Sequence, residues 1–110
     1  MKVRVRQEGA CTIVSIQGSA DVGASPALRD ALLRAVDAGA TRIVCDLSKT
    51  DFICSDALGV LITAYLKAHG RGGFVRLANP QKRLRELLAT TRLDHLFDVH
   101  PDVASAVKNA

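Results

Sequence analysis

Short apolar runs alternate with segments of helical periodicity from residue 25 onward, and this alternation leaves few folds open. Three runs are too short for helices and have strand character, residues 43–47, 74–77 and 97–99. Apolar residues recur at helical spacing in four segments, residues 25–38, 56–69, 80–88 and 101–107. Because strands and helices follow one another in turn, the sequence predicts β-α-β crossovers and a largely parallel sheet.

The segment before the first helix has a different pattern. Val3 and Val5 alternate with arginines, and residues 11–16 are rich in β-forming side chains. A turn at Gly9 between them predicts an antiparallel hairpin. We therefore expect a single domain over residues 1–110, of α/β class. Its sheet is expected to be mixed, mostly parallel and four- to five-stranded, begun by the N-terminal β-hairpin and packed with about four helices.

The composition places the chain among soluble globular proteins. Hydrophobic residues make up 48% and charged residues 24%, and no apolar run is long enough to cross a bilayer, so no direct membrane insertion is expected. The N-terminus lacks the apolar core of a secretory signal, and we expect a cytoplasmic location. Cys11, Cys45 and Cys54 form no CxxC pair and no even disulfide framework, which predicts free thiols.

Positive charge is concentrated between residues 67 and 92, where Glu86 is the only acidic side chain. The basic residues of this stretch are Lys67, Arg71, Arg76, Lys82, Arg83, Arg85 and Arg92. Nucleic-acid binding usually requires aromatic stacking groups or a recognisable motif beside such charges, and Phe74 is the only aromatic residue of the stretch. The pattern predicts a solvated or protein-facing surface and no nucleic-acid partner.

Metal and phosphate-loop chemistry are not indicated. His69, His95 and His100 lack the spacing of a metal site. Residues 70–73 are glycine-rich, but they follow a helix and precede a strand, which is the reverse of a phosphate-cradling loop. We therefore expect neither a metal nor a cofactor.

Residues 46–61 are the most informative segment, because they join a strand, a polar loop and the start of the second helix. The apolar face predicted for this helix consists of Leu58, Leu61, Ile62 and Tyr65. At a helix N-terminus the backbone N–H groups lack partners and the dipole is positive, so an anion is stabilised there. In the simplest structural interpretation, Ser55 caps the helix and Asp56 complements its dipole.

The same segment resembles the signature of the STAS family (sulphate transporter and anti-sigma factor antagonist), in its anti-sigma factor antagonist form. In that signature a strand ending Asp-Leu-Ser is followed by an aromatic residue, an apolar residue, Asp-Ser-Ser-Gly-Leu-Gly and an apolar helix. The matching residues are Asp46, Leu47, Ser48, Phe52, Ile53, Ser55, Leu58, Gly59 and Leu61. Gly18 and Asp21 before the first helix also match, as does the order of elements from residue 3 to about 107.

The resemblance implies a function in protein-protein binding. In the family, the second serine of the signature is phosphorylated by an anti-sigma factor that is also a serine kinase, and the unphosphorylated antagonist binds that kinase and releases the sigma factor. Carried over to this chain, the partner-binding residues are Asp21, Cys54, Ser55, Asp56, Ala57 and Leu58.

This sequence departs from the signature at three positions. Asp56 stands where the phosphorylated serine is expected, Cys54 replaces the preceding aspartate, and Ala57 replaces a glycine. We hypothesise that Asp56 imitates a permanently phosphorylated or otherwise fixed state, with one negative charge where phosphoserine carries about −1.5 to −2. Ser55, one residue away, is the alternative phosphate acceptor.

Two other functional classes are the alternatives, an enzyme and a scaffold. An enzyme would need a nucleophile, a base and an oxyanion site that converge, and the sequence indicates none. A phosphatase-like loop beginning at Cys54 would need arginine where Val60 stands, so the sequence does not predict a phosphatase. A redox-sensing function of Cys54 is a further alternative. The alternative to the antagonist is a non-phosphorylatable STAS scaffold or accessory subunit of a stress-signalling or lipid-transport complex, which Asp56 would suit.

Overall fold

The computed structural model describes residues 1–108 and confirms the alternation of strands and helices. In chain order the elements are β1 (Lys2–Glu8), β2 (Cys11–Ala20), α1 (Ser25–Asp37), β3 (Arg42–Asp46), β4 (Thr50–Ile53), α2 (Ser55–Gly70), β5 (Phe74–Ala78), α3 (Lys82–Thr90), β6 (Asp98–His100) and α4 (Val103–Lys108). The α/β class, the N-terminal hairpin and the four helices found in the described part of the chain are as expected from the sequence.

The strands form one mixed sheet in the order β1-β2-β3-β5-β6. β1 is antiparallel to β2, and every other pair is parallel. The sixth strand, β4, lies within the segment that the sequence indicated as a loop. It forms because β2 continues past the end of β3, and β4 pairs with this extension from Gly18 to Ala20. The hydroxyl of Thr50 strengthens the contact by donating a hydrogen bond of 2.7 Å to the Ile16 carbonyl.

The two faces of the sheet are covered unequally. The larger core lies under α1, α2 and α3, with the buried side chains of Leu28, Leu61 and Leu88 among its members. A smaller apolar cluster on the opposite face packs beneath α4 and includes Ile13 and Ala106. Within residues 1–108, three helices therefore cover one face, and one short helix covers part of the other.

Helix α2 is rotated relative to the predicted apolar face. Its buried residues are Ala57, Val60, Leu61, Ala64 and Ala68, a stripe at helical spacing made largely of alanine. Leu58, Ile62 and Tyr65 are half-buried at the margin of the core. Small side chains on the inner face let the helix approach the sheet closely, and the larger ones close the gap at its sides.

Within residues 1–108, no helix combines the length and hydrophobicity needed to cross a membrane. The three cysteines are free thiols, as predicted: Cys11 and Cys45 are buried, and Cys54 is half-buried.

Candidate functional site

The candidate site lies where α1 and α2 begin, at one end of the sheet. β2 and β4 end side by side, and the Cys54 amide donates a 2.9 Å hydrogen bond to the Ala20 carbonyl. Asp21 follows Ala20 directly, and Ser55 follows Cys54. Since both connections are short, the strand pairing places the two helix starts next to each other.

Cys54 is the N-cap residue of α2. Its backbone is extended (φ −80°, ψ 169°), and its Sγ accepts a hydrogen bond from the Ala57 amide at 3.4 Å. The interpretation that Ser55 caps the helix is therefore wrong, because Ser55 is already the first helical residue. Cys54 thus satisfies an N–H group of the first turn, which is the function that a capping Ser, Thr, Asp or Asn side chain usually has.

A second contact to Cys54 comes from the start of α1. The Ser25 Oγ lies 3.4 Å from the Cys54 Sγ and 3.1 Å from the Asp21 carbonyl oxygen, two alternative acceptors for its single proton; when the thiol is ionised, the hydroxyl donates to the sulfur. The Ser25 hydroxyl, followed by the Ala57 amide, holds the pKa of the Cys54 thiol below its ordinary value of 9.0. Hydrogen bonds to sulfur at a helix N-terminus stabilise the thiolate in this way.

Asp21 organises the loop that leads into α1. Its Oδ1 accepts a 2.9 Å hydrogen bond from the Ala24 amide, and its carbonyl accepts from the Ala24 and Ser25 amides at 3.1 and 3.0 Å. The carboxylate is exposed while making this bond. The expected binding residue Asp21 therefore has a local structural role as well as a position beside the site.

Ser55 and Asp56 are exposed and line a groove of about 670 Å³ between α1 and α2. The groove residues are Val22, Ser25, Pro26, Arg29, Asp30, Ser55, Asp56, Gly59 and Thr63. Arg29, exposed on α1, brings a positive charge to the groove that Asp56 lines from α2. Sequence reasoning missed Arg29 and Val22, although Arg29 follows Ser25 by four residues and so shares its helix face.

The remaining candidate residues differ in accessibility. Ala57 was expected to contact a partner, but its side chain is fully buried in the core, so it supports the site by packing and through its amide, which donates to the Cys54 Sγ. Leu58 is half-buried. Two apolar side chains near the helix starts are conspicuously exposed, Val22 at 66% and Phe52 at 54%.

The pKa values of the other two thiols shift in the opposite direction to that of Cys54. Burial raises the pKa of Cys45 to about 12, and burial also raises the pKa of Cys11. Among the residues that the structure describes, no three His, Cys, Asp or Glu side chains are grouped closely enough to hold a metal ion.

The fold agrees with the comparisons. The family model of the STAS domain matches residues 2–106, so this chain belongs to the STAS family. A STAS-domain containing protein of Pseudomonas aeruginosa is 34% identical over 92 residues, which cover 84% of this chain and 90% of that protein.

Solved structures of other proteins share the fold of this chain. An anti-sigma factor antagonist from Mycobacterium paratuberculosis is 26% identical, with a TM-score of 0.90 over 98% of this chain and 92% of that one. SpoIIAA, the Bacillus cell fate determinant, in its phosphorylated form shares the fold at 17% identity, with a TM-score of 0.77 over 98% of each chain. This protein therefore has an anti-sigma factor antagonist-like fold.

Proposed function

We propose that this chain is a regulatory protein of the anti-sigma factor antagonist type, which binds an anti-sigma factor/serine kinase through the loop and first turn of α2. The observation that carries the proposal is the exposure of Ser55 and Asp56 on a groove between two helix starts. The antagonist-like fold and the STAS membership support it. The antagonist branch consists in general of regulatory proteins rather than enzymes, and the bacterial cytoplasm is where such a partner would be met.

Asp56 occupies the position of the phosphorylated serine of the family signature and supplies a permanent negative charge there. It lies in the first turn of α2, where the helix dipole stabilises a carboxylate. Its charge is smaller than that of phosphoserine, and it has fewer acceptor oxygens. The proposed consequence is a regulator fixed in the state that binds the kinase weakly.

Exposed apolar side chains flank this charge. Val22 lines the groove itself, and Phe52 precedes Cys54 by two residues on β4. Protein interfaces combine a few apolar or aromatic anchors with a polar rim. The proposed binding surface thus consists of the exposed residues Asp21, Val22, Phe52, Ser55 and Asp56, with half-buried Cys54 and Leu58 between them.

Ser55 is the second candidate for regulation at this site. Because Cys54 caps α2, the Ser55 hydroxyl is not used as a cap, and it makes no hydrogen bond to the residues that the structure describes. A kinase could therefore use it as a phosphate acceptor. Intact-mass analysis after incubation with a cognate kinase and ATP tests this: a phosphoprotein lost in Ser55→Ala supports it, and an unchanged mass of the wild type excludes it.

The scaffold alternative rests on the same observation at Asp56. A carboxylate cannot accept phosphate as a serine hydroxyl does, so a kinase would not switch binding at Asp56. A partner that stays bound whether or not a kinase is active would therefore suit this chain. Such a protein would be a stable subunit of a stress-signalling or lipid-transport complex.

Affinity capture with the wild type and Asp56→Ser in parallel separates these functions. The antagonist proposal expects Asp56→Ser to retain an ATP-binding anti-sigma factor far better than the wild type does. Equal retention of one large complex by both proteins would favour the scaffold. Capture of no regulatory protein by either variant would contradict both.

A further inference from the structure

β1 forms a free edge of the sheet. Among residues 1–108 it pairs with β2 alone, and the register runs without a bulge from Lys2 opposite Gln17 to Glu8 opposite Cys11. In an antiparallel pair, every second residue of the edge strand directs its backbone N–H and C=O away from its neighbour. β1 therefore offers unpaired backbone groups along a strand of seven residues.

The side chains of β1 alternate between two faces, one with Val3, Val5 and Gln7 and the other with three basic residues followed by Glu8 at the end of the strand. Arg4 lies opposite Ser15, and Arg6 lies opposite Ile13, a member of the cluster beneath α4. Val3 packs against the larger core on the other face. Lys2, Arg4 and Arg6 thus form a row of positive charges about 7 Å apart along one face of the edge.

Each face of β1 adjoins a concave surface. On the basic face, a cavity of about 450 Å³ is lined by the three cations of Arg4, Arg6 and Lys49 and by one acidic side chain, Asp46. On the apolar face, a second cavity of about 450 Å³ lies beside Val5 and the C-terminal end of α1, with Ala35 and Ala38 in its wall. Val5 borders both cavities and is 51% exposed.

The charges determine which strand could pair with this edge. Lys2, Arg4, Arg6 and Lys49 form no ion pair within 4.0 Å with any residue that the structure describes. An antiparallel second copy of β1 centred on Arg4, Val5 or Arg6 would set arginine opposite arginine, which is destabilising, and Glu8 is the one acidic side chain on this face of the strand to offset it; acidic side chains at alternate positions of another segment would be complementary throughout. Charge on an edge strand is a common protection against self-pairing, and here it also selects for an acidic strand.

We propose that the β1 edge is a docking site for an extended protein segment that alternates acidic and apolar side chains. The segment adds a strand to β1 through backbone hydrogen bonds. Its acidic side chains lie beside Lys2, Arg4 and Arg6, and its apolar side chains lie beside Val5 above the alanine-lined cavity. This interaction is separate from the surface at α2 and goes beyond the function proposed for it.

The test uses the whole protein and a fluorescein-labelled peptide of alternating glutamate and valine, seven residues long to match β1. We expect saturable binding by fluorescence anisotropy. A block peptide, which has the same composition but groups its glutamates and its valines in separate halves, should bind much more weakly. Two further peptides carry N-methyl groups on one or the other set of alternate amides. In a strand added to β1, only alternate amides point toward β1, so the peptide methylated on those amides should lose binding and the other should keep it.

Protein variants identify the site. Arg4→Glu/Arg6→Glu should weaken binding about tenfold or more, whereas Arg83→Glu/Arg85→Glu on α3, an equal change of net charge, should not. Circular dichroism and the Tm check that both variants are folded. Asp56→Ser should bind the peptide like the wild type, so this proposal and the proposed function fail independently.

Three results would overturn the proposal. The block peptide could bind as tightly as the alternating one, which would show general charge attraction. Both N-methylated peptides could bind like the unmodified peptide, which would exclude strand addition. The protein could bind vesicles containing an anionic phospholipid while ignoring the peptide, which would assign the basic face to a membrane surface instead.

Discussion

The core beneath α2 and the first turn of the same helix differ in almost every physical respect. Beneath the helix, Leu61 and Ala64 pack without exposure against a sheet that includes Cys45. In the first turn, Ser55 and Asp56 face solvent at a groove. The comparison teaches that one helix both stabilises the domain and presents its binding residues, with the two tasks divided between its faces.

The largest expected difference between these regions is in thiol reactivity. Each pKa unit changes the thiolate fraction about tenfold, and burial raises the pKa of Cys45 to about 12 while hydrogen bonds lower that of Cys54 below 9.0. The lower nucleophilicity of a low-pKa thiolate offsets part of this difference, while the burial of Cys45 adds to it. At pH 8, iodoacetamide should therefore modify Cys54 on the order of a hundredfold or more faster than Cys45.

The pH dependence follows from the same shifts. The Cys54 alkylation rate should rise with pH with a midpoint below pH 9, whereas folded Cys45 should stay unreactive there. A depressed pKa also means that the thiolate of Cys54 favours the folded state above pH 9, and that this contribution is lost as the pH falls through the folded pKa. Equal, slow modification of all three cysteines by mass spectrometry would contradict the assignment.

The next largest difference is expected in the free energy of unfolding when a leucine of α2 is truncated. Leu61→Ala opens a cavity in the core and should lower the free energy of unfolding by about 2–5 kcal/mol in urea titration. Leu66→Ala on the outer face of α2, where the side chain is 61% exposed, is the matched control and should change it by less than about 0.5 kcal/mol. Similar losses for the two variants would mean that the buried face is wrongly placed.

The cap at Cys54 should have a smaller effect. Cys54→Ala removes the acceptor for the Ala57 amide and should lower the Tm on the order of 5 °C, whereas Cys54→Asp, which keeps an acceptor, should recover most of the loss. Differential scanning calorimetry measures both. Identical Tm values for the alanine and aspartate variants would show that the sulfur does not cap the helix.

The charge of Asp56 should contribute least to stability. Asp56→Asn removes a carboxylate from the first turn and should cost about 0.3–1 kcal/mol at low salt, with the difference shrinking as salt is added. Asp51→Asn, an exposed aspartate on β4, is the control that lies outside the helix. A loss at Asp56 as large as that at Leu61 would assign this aspartate to the core of the fold rather than to binding.

The order of elements was predictable, because strand and helix periodicities alternate so regularly. β4 was missed because its pairing depends on how far β2 extends past β3, which no local pattern records. The buried stripe of α2 was misplaced because alanines carry little periodic signal, although they allow the closest packing.

The site was predictable only in part. Ser55 and Asp56 were found from the motif. The cap at Cys54 is a local contact with Ala57, and it was missed because cysteine is not among the usual capping residues. The place of Arg29 on the groove depends on how α1 and α2 meet, and residues that far apart in the sequence give no local sign of it.

The most direct test of the central claim is isothermal titration of the captured anti-sigma factor with the wild type, Asp56→Ser and Asp56→Ala. If Asp56 imitates a fixed, phosphorylated-like state, Asp56→Ser should bind at least about tenfold more tightly than the wild type, a gain of about 1.4 kcal/mol. Asp56→Ala shows how much of that gain comes from losing the charge alone. Equal affinities for all three proteins would contradict the claim and leave Asp56 without a role in selecting the partner.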